Sequence, residues 1–189
     1  GVGKKFEELK FAISKNILLI NVESESELKN IKKIAEKFRK KVSVGLRLNP
    51  NIDAKTNTKI STGRIQDKFG LNGNDIIKIL NKFKNSRNIK IKCLSVHIGS
   101  QITQNKPYNN VLIAINKILS KSKYKFEYID LGGGMGIKYI KNSKKLDYSK
   151  LSKNIYKFSK KYNCKIIFEP GRSIVGDTAV LLTKVIYIK

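Results

Sequence analysis

The sequence predicts an α/β domain that forms part of a TIM barrel, and three observations lead to this fold class. Short apolar runs rich in Ile and Val alternate with longer amphipathic stretches, as strands and helices do around a parallel sheet. Residues of unusual chemistry follow several of the predicted strands, which is typical of a barrel and not of a doubly wound sheet. Only five strands are predicted, so the chain is expected to be a piece of an eight-stranded barrel.

The predicted elements follow from apolar periodicity. Strands are expected at residues 17–22, 42–48, 91–96, 128–131 and 166–168. Ser24 to Glu27 has the Ser-x-x-Glu pattern of a helix capping box, and an apolar face follows at Leu28, Ile31, Ile34, Ala35 and Phe38. Further helices are expected at 6–13, 75–83, 111–119 and 151–162.

The formal net charge of +26 is the most unusual property of the composition. Most of it comes from Lys residues that are interleaved with Ile and Asn, the amino acids that A/T-rich codons encode. No zinc-finger, homeodomain or RNA-binding signature interrupts the lysines. A basic nucleic-acid-binding domain is therefore kept only as a less favoured alternative, and no nucleic-acid partner is expected.

Membrane, export and metal functions are not indicated. No run of eighteen apolar residues and no signal peptide are evident, so we expect a cytoplasmic protein without a membrane partner. Cys93 and Cys164 are far apart and lie within apolar runs, without the spacing of metal ligands. Buried free thiols and no metal site are expected.

Glycines and a histidine follow two of the predicted strands. The run of Gly132, Gly133 and Gly134 could wrap an anion with consecutive N–H groups, although a tight turn is the plainer explanation. His97 is the only histidine; its ring could stack on a flat cofactor, and Ser100 could donate to a phosphate oxygen. A structural role for His97 is the alternative.

Charged residues complete the pattern. Glu169, Pro170, Gly171 and Arg172 follow the last strand, where Glu169 could pair with a protonated ring nitrogen and Arg172 with an anion. The alternative is an ion pair between Glu169 and Arg172, because a carboxylate at a buried strand end needs a partner. Arg47 lies inside a strand, where a barrel lumen could pair it with Glu169. The polar segment 60–71 is long for a connector and favours an active-site loop.

Together these motifs describe a flat, phosphorylated ring with a basic nitrogen. The segments 22–25, 61–63, 68–70, 97–101, 131–134 and 169–175, with the Arg47 strand, resemble in order the blocks of the fold type III, alanine-racemase-like decarboxylases. The His-Ile-Gly-Ser-Gln and Glu-Pro-Gly-Arg-Ser-Ile-Val blocks are more similar to diaminopimelate decarboxylases than to ornithine decarboxylases, in which glycine usually replaces Gln101.

The resemblance implies pyridoxal 5′-phosphate as cofactor, an amino-acid substrate, a homodimer, and decarboxylation of meso-diaminopimelate to L-lysine. It implies catalytic roles for Glu169 and His97, a supporting role for Arg47, and substrate binding by Arg172. The implied cofactor-binding residues are His97, Ser100, Gly132, Gly133, Gly134, Glu169, Pro170, Gly171 and Arg172. Decarboxylases of the ornithine and arginine type, and a non-catalytic cofactor-binding relative, remain alternatives.

The resemblance also implies how the chain divides. Residues 1–178 are expected to form about the last five strands of the cofactor-binding barrel, and 179–189 to begin a C-terminal β domain. The family's Schiff-base lysine would lie upstream of Gly1, and no lysine here has the matching context. The chain alone is therefore expected to be inactive.

Overall fold

The computed structural model describes residues 1–54, 60–139 and 145–189. These ranges form six helices and five strands that alternate along the chain. In chain order they are α1 (Phe6–Ser14), β1 (Ile20–Val22), α2 (Glu25–Lys37), β2 (Val42–Arg47), α3 (Gly73–Phe83), β3 (Ile89–Ser95), α4 (Asn105–Ser122), β4 (Tyr128–Asp130), α5 (Tyr148–Tyr162), β5 (Lys165–Ile167) and α6 (Arg172–Val175).

The five strands form one parallel sheet in which their order in space is their order in the chain, β1 to β5. A doubly wound sheet reverses its strand order at a switch point, and this sheet does not. Neighbouring helices of the outer layer also contact one another, α1 with α2, α3 with α4 and α4 with α5. The strand order and the helix layer are those of a barrel segment, as the sequence predicts.

The hydrophobic core lies between the sheet and the helices. Val22, Leu46 and Leu94 occupy neighbouring positions on three successive strands, and each is fully buried. The helices contribute fully buried side chains such as Ile31 and Ile115. Burying each of these aliphatic side chains contributes about 1.5–3 kcal/mol, so this face holds the two layers together.

The helices begin and end within a turn or two of the predicted positions. Ser24 caps α2 by accepting a hydrogen bond from the N–H of Glu27 at 3.1 Å, as predicted. The other half of the capping box differs, because the Glu27 carboxylate accepts from the N–H of Glu23. Helix α4 begins well before predicted residue 111 because Pro107 falls in its first turn, where a missing N–H costs nothing. None of the helices in the described ranges is long and apolar enough to cross a membrane.

The opposite face of the sheet carries polar side chains. Asn21 of β1 donates to the Asp130 carboxylate at the end of β4, with Nδ2 and Oδ2 3.1 Å apart. Asn21 can cross β2 because residue 45 is glycine: a Cβ there would lie 2.1 Å from the Asn21 Oδ1 atom. Asp130 also accepts the N–H of Gly132 at 2.8 Å. One carboxyl group thus connects the first strand, the fourth strand and the glycine loop.

Residues 179–189 follow the last helix without forming hydrogen-bonded secondary structure. Their apolar side chains are open to solvent, with Val180, Leu181 and Leu182 each more than 90% exposed. Strand β5 is an edge of the sheet and is only partly buried. The division into a barrel portion at 1–178 and the start of a β domain at 179–189 stays a prediction.

Replacing Asp130 with Asn is expected to change how stability depends on pH. Burial, reinforced by the nearby Glu169 carboxyl group and opposed by the Gly132 N–H, raises the pKa of Asp130 to about 6. Its ordinary pKa in an unfolded chain is about 3.9. The folded state therefore binds the proton more tightly, and this contribution is fully present below about pH 4 and lost as pH rises through about 6.

An amide resembles the protonated acid, so Asp130→Asn should keep that stability at all pH values. Relative to wild type, the variant's free energy of unfolding should increase by about 2–3 kcal/mol between pH 4 and pH 7. Urea unfolding followed by circular dichroism measures it, with Glu36→Gln on the solvent face of α2 as control. If the difference in free energy of unfolding between Asp130→Asn and wild type did not change with pH, the raised pKa of Asp130 would be contradicted.

Candidate functional site

The loops that follow β3, β4 and β5 meet at their backbones. A Cβ on Gly133 would lie 2.1 Å from the carbonyl oxygen of Glu169, and one on Gly134 would lie 2.2 Å from that of Gly99. The Glu169 N–H donates to the Gly132 carbonyl at 2.9 Å. The structure therefore brings His97, the three glycines and Glu169 together at the carboxyl ends of adjacent strands.

The glycine loop has a shape that other residues would strain. Gly132 and Gly134 have φ angles of +65° and +90°, in the region that favours glycine. The N–H of Gly132 is used by Asp130, and the N–H of Gly133 by His97. Of the three glycines, Gly134 alone has an N–H that finds no protein acceptor in the described ranges, and the N–H of Met135 after it finds none there either. Two of the three glycine N–H groups are therefore used within the protein, and the anion-binding role of the loop stays a prediction.

His97 is held as an uncharged ring. Its Nδ1 atom accepts the N–H of Gly133 at 3.1 Å, which leaves the ring proton on Nε2. Burial lowers the pKa of His97, and the positive charge of Arg47 lowers it further. The imidazole is therefore neutral at physiological pH. Its half-buried ring lies beside the glycine loop and presents a flat, apolar face.

Two polar side chains at the site, Ser100 and Arg172, have no carboxylate partner among the described residues. The Ser100 hydroxyl is half-buried and makes no hydrogen bond within the described ranges. Arg172 donates to the Gln101 side chain, Nη1 to Oε1 at 3.2 Å, and its guanidinium lies 5.9 Å from the centre of the Tyr139 ring. The alternative in which Arg172 is the ion-pair partner of Glu169 is therefore wrong.

Glu169 is exposed, unlike the buried carboxylate expected from the sequence. Glu169 follows β5, which is an edge strand of the sheet that the described residues form. The Glu169 carboxyl group nevertheless contributes to the raised pKa of Asp130. Pro170 and Gly171 are also exposed, and a Cβ on Gly171 would meet no atom within 4 Å. This loop borders open space beside the glycines.

Arg47 pairs with Glu23, and the expected pairing with Glu169 is wrong. Its Nη1 atom lies 2.6 Å from Glu23 Oε1, and its guanidinium lies 4.8 Å from the centre of the Phe69 ring. Glu23 and Arg47 follow or end adjacent strands, whereas Glu169 follows β5 at the far edge. The second Glu23 oxygen accepts the N–H of Gly70 at 2.8 Å. Arg47 therefore supports the segment 60–71.

The segment 60–71 contacts the His97 loop. Thr62 donates its hydroxyl to the His97 carbonyl oxygen at 2.8 Å, and Ser61 forms an isolated antiparallel bridge with Gly99. The pKa of Asp67 is lowered by its hydrogen bond with the Arg64 side chain. These contacts place the segment beside the loop that contains His97. Its role as an active-site loop stays a prediction.

Two residues that sequence reasoning missed hold the glycine loop in place. Tyr108 of α4 is 1% exposed and donates its hydroxyl to the Gly133 carbonyl oxygen at 2.9 Å. Asp130 fixes the N–H of Gly132 from the preceding strand. A buried tyrosine needs a hydrogen-bond acceptor, and an Asp directly before a glycine run can accept from it. Both signals are visible in the sequence, but neither identifies its partner.

The chemistry of these groups fits a flat, phosphorylated ring with a basic nitrogen. The Gly134 N–H, the Ser100 hydroxyl and the Arg172 guanidinium are donors that a phosphate can use. His97 offers an uncharged flat face, and Glu169 offers a carboxylate to a protonated nitrogen. No group of three metal-ligating side chains clusters within the described ranges.

Comparison with known proteins gives the same assignment. A model of the family "pyridoxal-dependent decarboxylase, pyridoxal binding domain" matches residues 1–176. Diaminopimelate decarboxylases of Zymomonas mobilis subsp. mobilis and Aquifex aeolicus are 38% and 36% identical to this chain. Each match covers 100% of this chain and 46% of the relative. The chain thus spans about half the length of these curated relatives.

Solved structures of the same kind superpose on this fold. Diaminopimelate decarboxylase from Helicobacter pylori, complexed with L-lysine, has a TM-score of 0.87 at 36% identity, covering 92% of this chain and 45% of its own. The enzyme from M. jannaschii, in co-complex with L-lysine, has a TM-score of 0.79 at 32% identity, covering 90% and 42%. The match over residues 1–176 places the chain in the family of pyridoxal-dependent decarboxylases, as their pyridoxal-binding domain.

Proposed function

We propose that the protein containing this chain decarboxylates meso-diaminopimelate to L-lysine with pyridoxal 5′-phosphate. The observation that carries the proposal is the convergence of His97, the glycine loop and Glu169 at adjacent strand ends. The names of the most similar relatives support the choice of substrate, and two of the solved structures contain L-lysine, the expected product.

Each free group at the site is assigned one part of the cofactor. The Gly134 N–H, the Ser100 hydroxyl and Arg172 would hold the phosphate, or Arg172 would hold a substrate carboxylate. Gly132, Gly133, Pro170 and Gly171 would give the two loops the shape that lets the phosphate approach. Bound pyridoxal phosphate supplies an electron sink for the electron pair that remains when carbon dioxide leaves.

Glu169 and His97 are assigned the groups next to the ring. The Glu169 carboxylate would keep a proton on the ring nitrogen, because an adjacent negative charge favours the protonated form. His97 would stack on the ring as a neutral imidazole. Gly133 fixes the orientation of His97 through Nδ1, and its lowered pKa keeps a second positive charge away from the protonated nitrogen.

A homodimer in the cytoplasm completes the proposal. The exposed apolar side chains of 179–189 and the partly exposed β5 edge leave surface for further protein to cover. Cys93 and Cys164 are buried free thiols, which suits a reducing compartment. The proposed ligand is a small amino acid, and no nucleic-acid role is assigned to the lysines.

Glu169→Gln in the full-length protein is expected to retain the cofactor and lose most decarboxylation. A neutral amide cannot hold the ring nitrogen protonated, so the electron sink weakens while the phosphate contacts remain. Each 1.4 kcal/mol lost in the transition state lowers the rate about tenfold, and we expect a loss of about a hundredfold. Cofactor content by absorbance and carbon dioxide release from meso-diaminopimelate measure the two effects.

The matched control is Glu36→Gln, which makes the same change on the exposed face of α2 and should leave both quantities unchanged. Near-normal turnover of Glu169→Gln would mean that the carboxylate serves only the structure around Asp130.

The 189-residue chain alone is expected to produce no lysine and to form no specific Schiff base with the cofactor. No lysine in the described ranges is buried, so none has the desolvated amine that such chemistry requires. Borohydride reduction with pyridoxal phosphate, followed by peptide mapping, should give label spread over exposed lysines. One dominant labelled lysine, with turnover of diaminopimelate, would overturn this expectation.

A further inference from the structure

Gln101 has a backbone conformation that its residue type does not favour. Its φ angle is +62°, in the left-handed region. Of the other non-glycine residues with positive φ in the described ranges, Asn16, Arg39, Lys123 and Asn163 lie at helix ends, where this conformation is common, and Asn51 is an asparagine. Gln101 follows no helix and carries no such preference. A positive φ angle at a non-glycine residue destabilises the fold by about 1 kcal/mol, so a compensating interaction of the Gln101 side chain is expected.

The compensating interaction is a pair of hydrogen bonds to Ile137, three residues after the glycine loop. Gln101 Nε2 donates to the Ile137 carbonyl oxygen at 2.6 Å, and the Ile137 N–H donates to Gln101 Oε1 at 3.3 Å. The adjacent backbone is paired as well, since Ile102 donates to Gly134 and accepts from Gly136. The loop after β3 and the far end of the glycine loop therefore form one unit.

The same amide oxygen also contacts the first residue of α6, Arg172. Gln101 Oε1 accepts Arg172 Nη1 at 3.2 Å, so a single atom contacts both the Ile137 N–H and the guanidinium. No carboxylate pairs with Arg172 in the part of the chain that the structure describes. A neutral amide fixes the direction of the guanidinium without neutralising its charge. The charge stays available to an anion.

We propose that Gln101 is a positioning residue that aims Arg172 at an oxyanion of the bound ligand. The inference rests on the proposed function, because the oxyanion is either the cofactor phosphate or a substrate carboxylate. Gln101 does not contact the ligand in this role. It sets the angle of Arg172 relative to the free N–H of Gly134 by holding the three loops in register.

Two substitutions separate the side chain from the backbone. Gln101→Gly relieves the positive φ angle and removes the amide, whereas Gln101→Asn tolerates the angle and keeps an amide one methylene too short to reach Ile137. Both variants should fold like wild type by thermal midpoint. Gln104→Asn, the same change at the exposed N-cap of α4 three residues along, is the matched control for the binding constants.

The readouts are the pyridoxal phosphate Kd of the full-length apoprotein, by fluorescence titration, and KM and kcat for meso-diaminopimelate. Losing the orientation of a charged hydrogen-bond donor should weaken oxyanion binding about tenfold in both variants. A raised cofactor Kd would assign Arg172 to the phosphate, and a raised KM with unchanged Kd would assign it to a substrate carboxylate. In both cases kcat should fall by much less than the tenfold change in Kd or KM.

A double-mutant cycle tests whether Gln101 acts through Arg172. In an Arg172→Ala background, Gln101→Gly should have no further effect on the affected constant, because the two residues act as one unit. Fully additive effects, or unchanged Kd and KM in both Gln101 variants, would overturn the proposal.

Failure of the proposed function would look different. In that case the wild-type protein would neither bind pyridoxal phosphate nor release carbon dioxide. The Gln101–Arg172 coupling would then be measured as the shift in thermal midpoint that inorganic phosphate produces. Loss of that shift in each single variant, with no further loss in the double variant, supports the coupling, and retention of the shift in Gln101→Gly overturns it.

Discussion

The contact of backbone with backbone at the glycine loop is the constraint on which the site depends. A side chain at residue 133 or 134 would overlap the carbonyl oxygen of Glu169 or of Gly99. Only a loop without Cβ atoms lets the segments after β3 and β5 close on it from both sides. The in-order parallel sheet provides the setting, since it brings the carboxyl ends of these three strands to one edge.

The two arginines near the site have different electrostatic surroundings, and this separates their roles. Arg47 forms an ion pair with Glu23, with Nη1 and Oε1 2.6 Å apart, and its guanidinium lies over the Phe69 ring. These contacts hold the segment 60–71 in place. Arg172 contacts the Gln101 amide and the Tyr139 ring, and in the described ranges no carboxylate neutralises its charge. A partly buried ion pair fixes structure, whereas an oriented guanidinium without a carboxylate partner in the described ranges is able to bind a ligand.

The sequence predicted the features that depend on local periodicity and on residue type. The five parallel strands, the helices between them and the grouping of His97, the glycines and Glu169 at strand ends all follow from apolar runs and from what comes after them. The capping residue Ser24 is likewise a local signal. Such features need no knowledge of which strands are neighbours.

Pair contacts across the sheet could not be predicted in this way. Opposite charge made Glu169 a possible partner for Arg47. The strand order separates these two residues and places Glu23 beside Arg47. The links of Asn21 to Asp130 and of Tyr108 to Gly133 join residues 109 and 25 positions apart. The exposure of Glu169 is likewise a property of the folded chain that its residue type does not reveal.

The open edge at β5 and the apolar segment that follows it also affect how this chain behaves in solution. An unpaired strand edge beside exposed Val, Leu and Ile side chains is a template for association with a second molecule. The net charge of +26 opposes that approach through mutual repulsion. Salt shortens the range of this repulsion from roughly 10 Å at 0.1 M to about 3 Å at 1 M. We therefore expect the colloidal stability of the chain to depend on ionic strength, because salt screens the repulsion between its lysines.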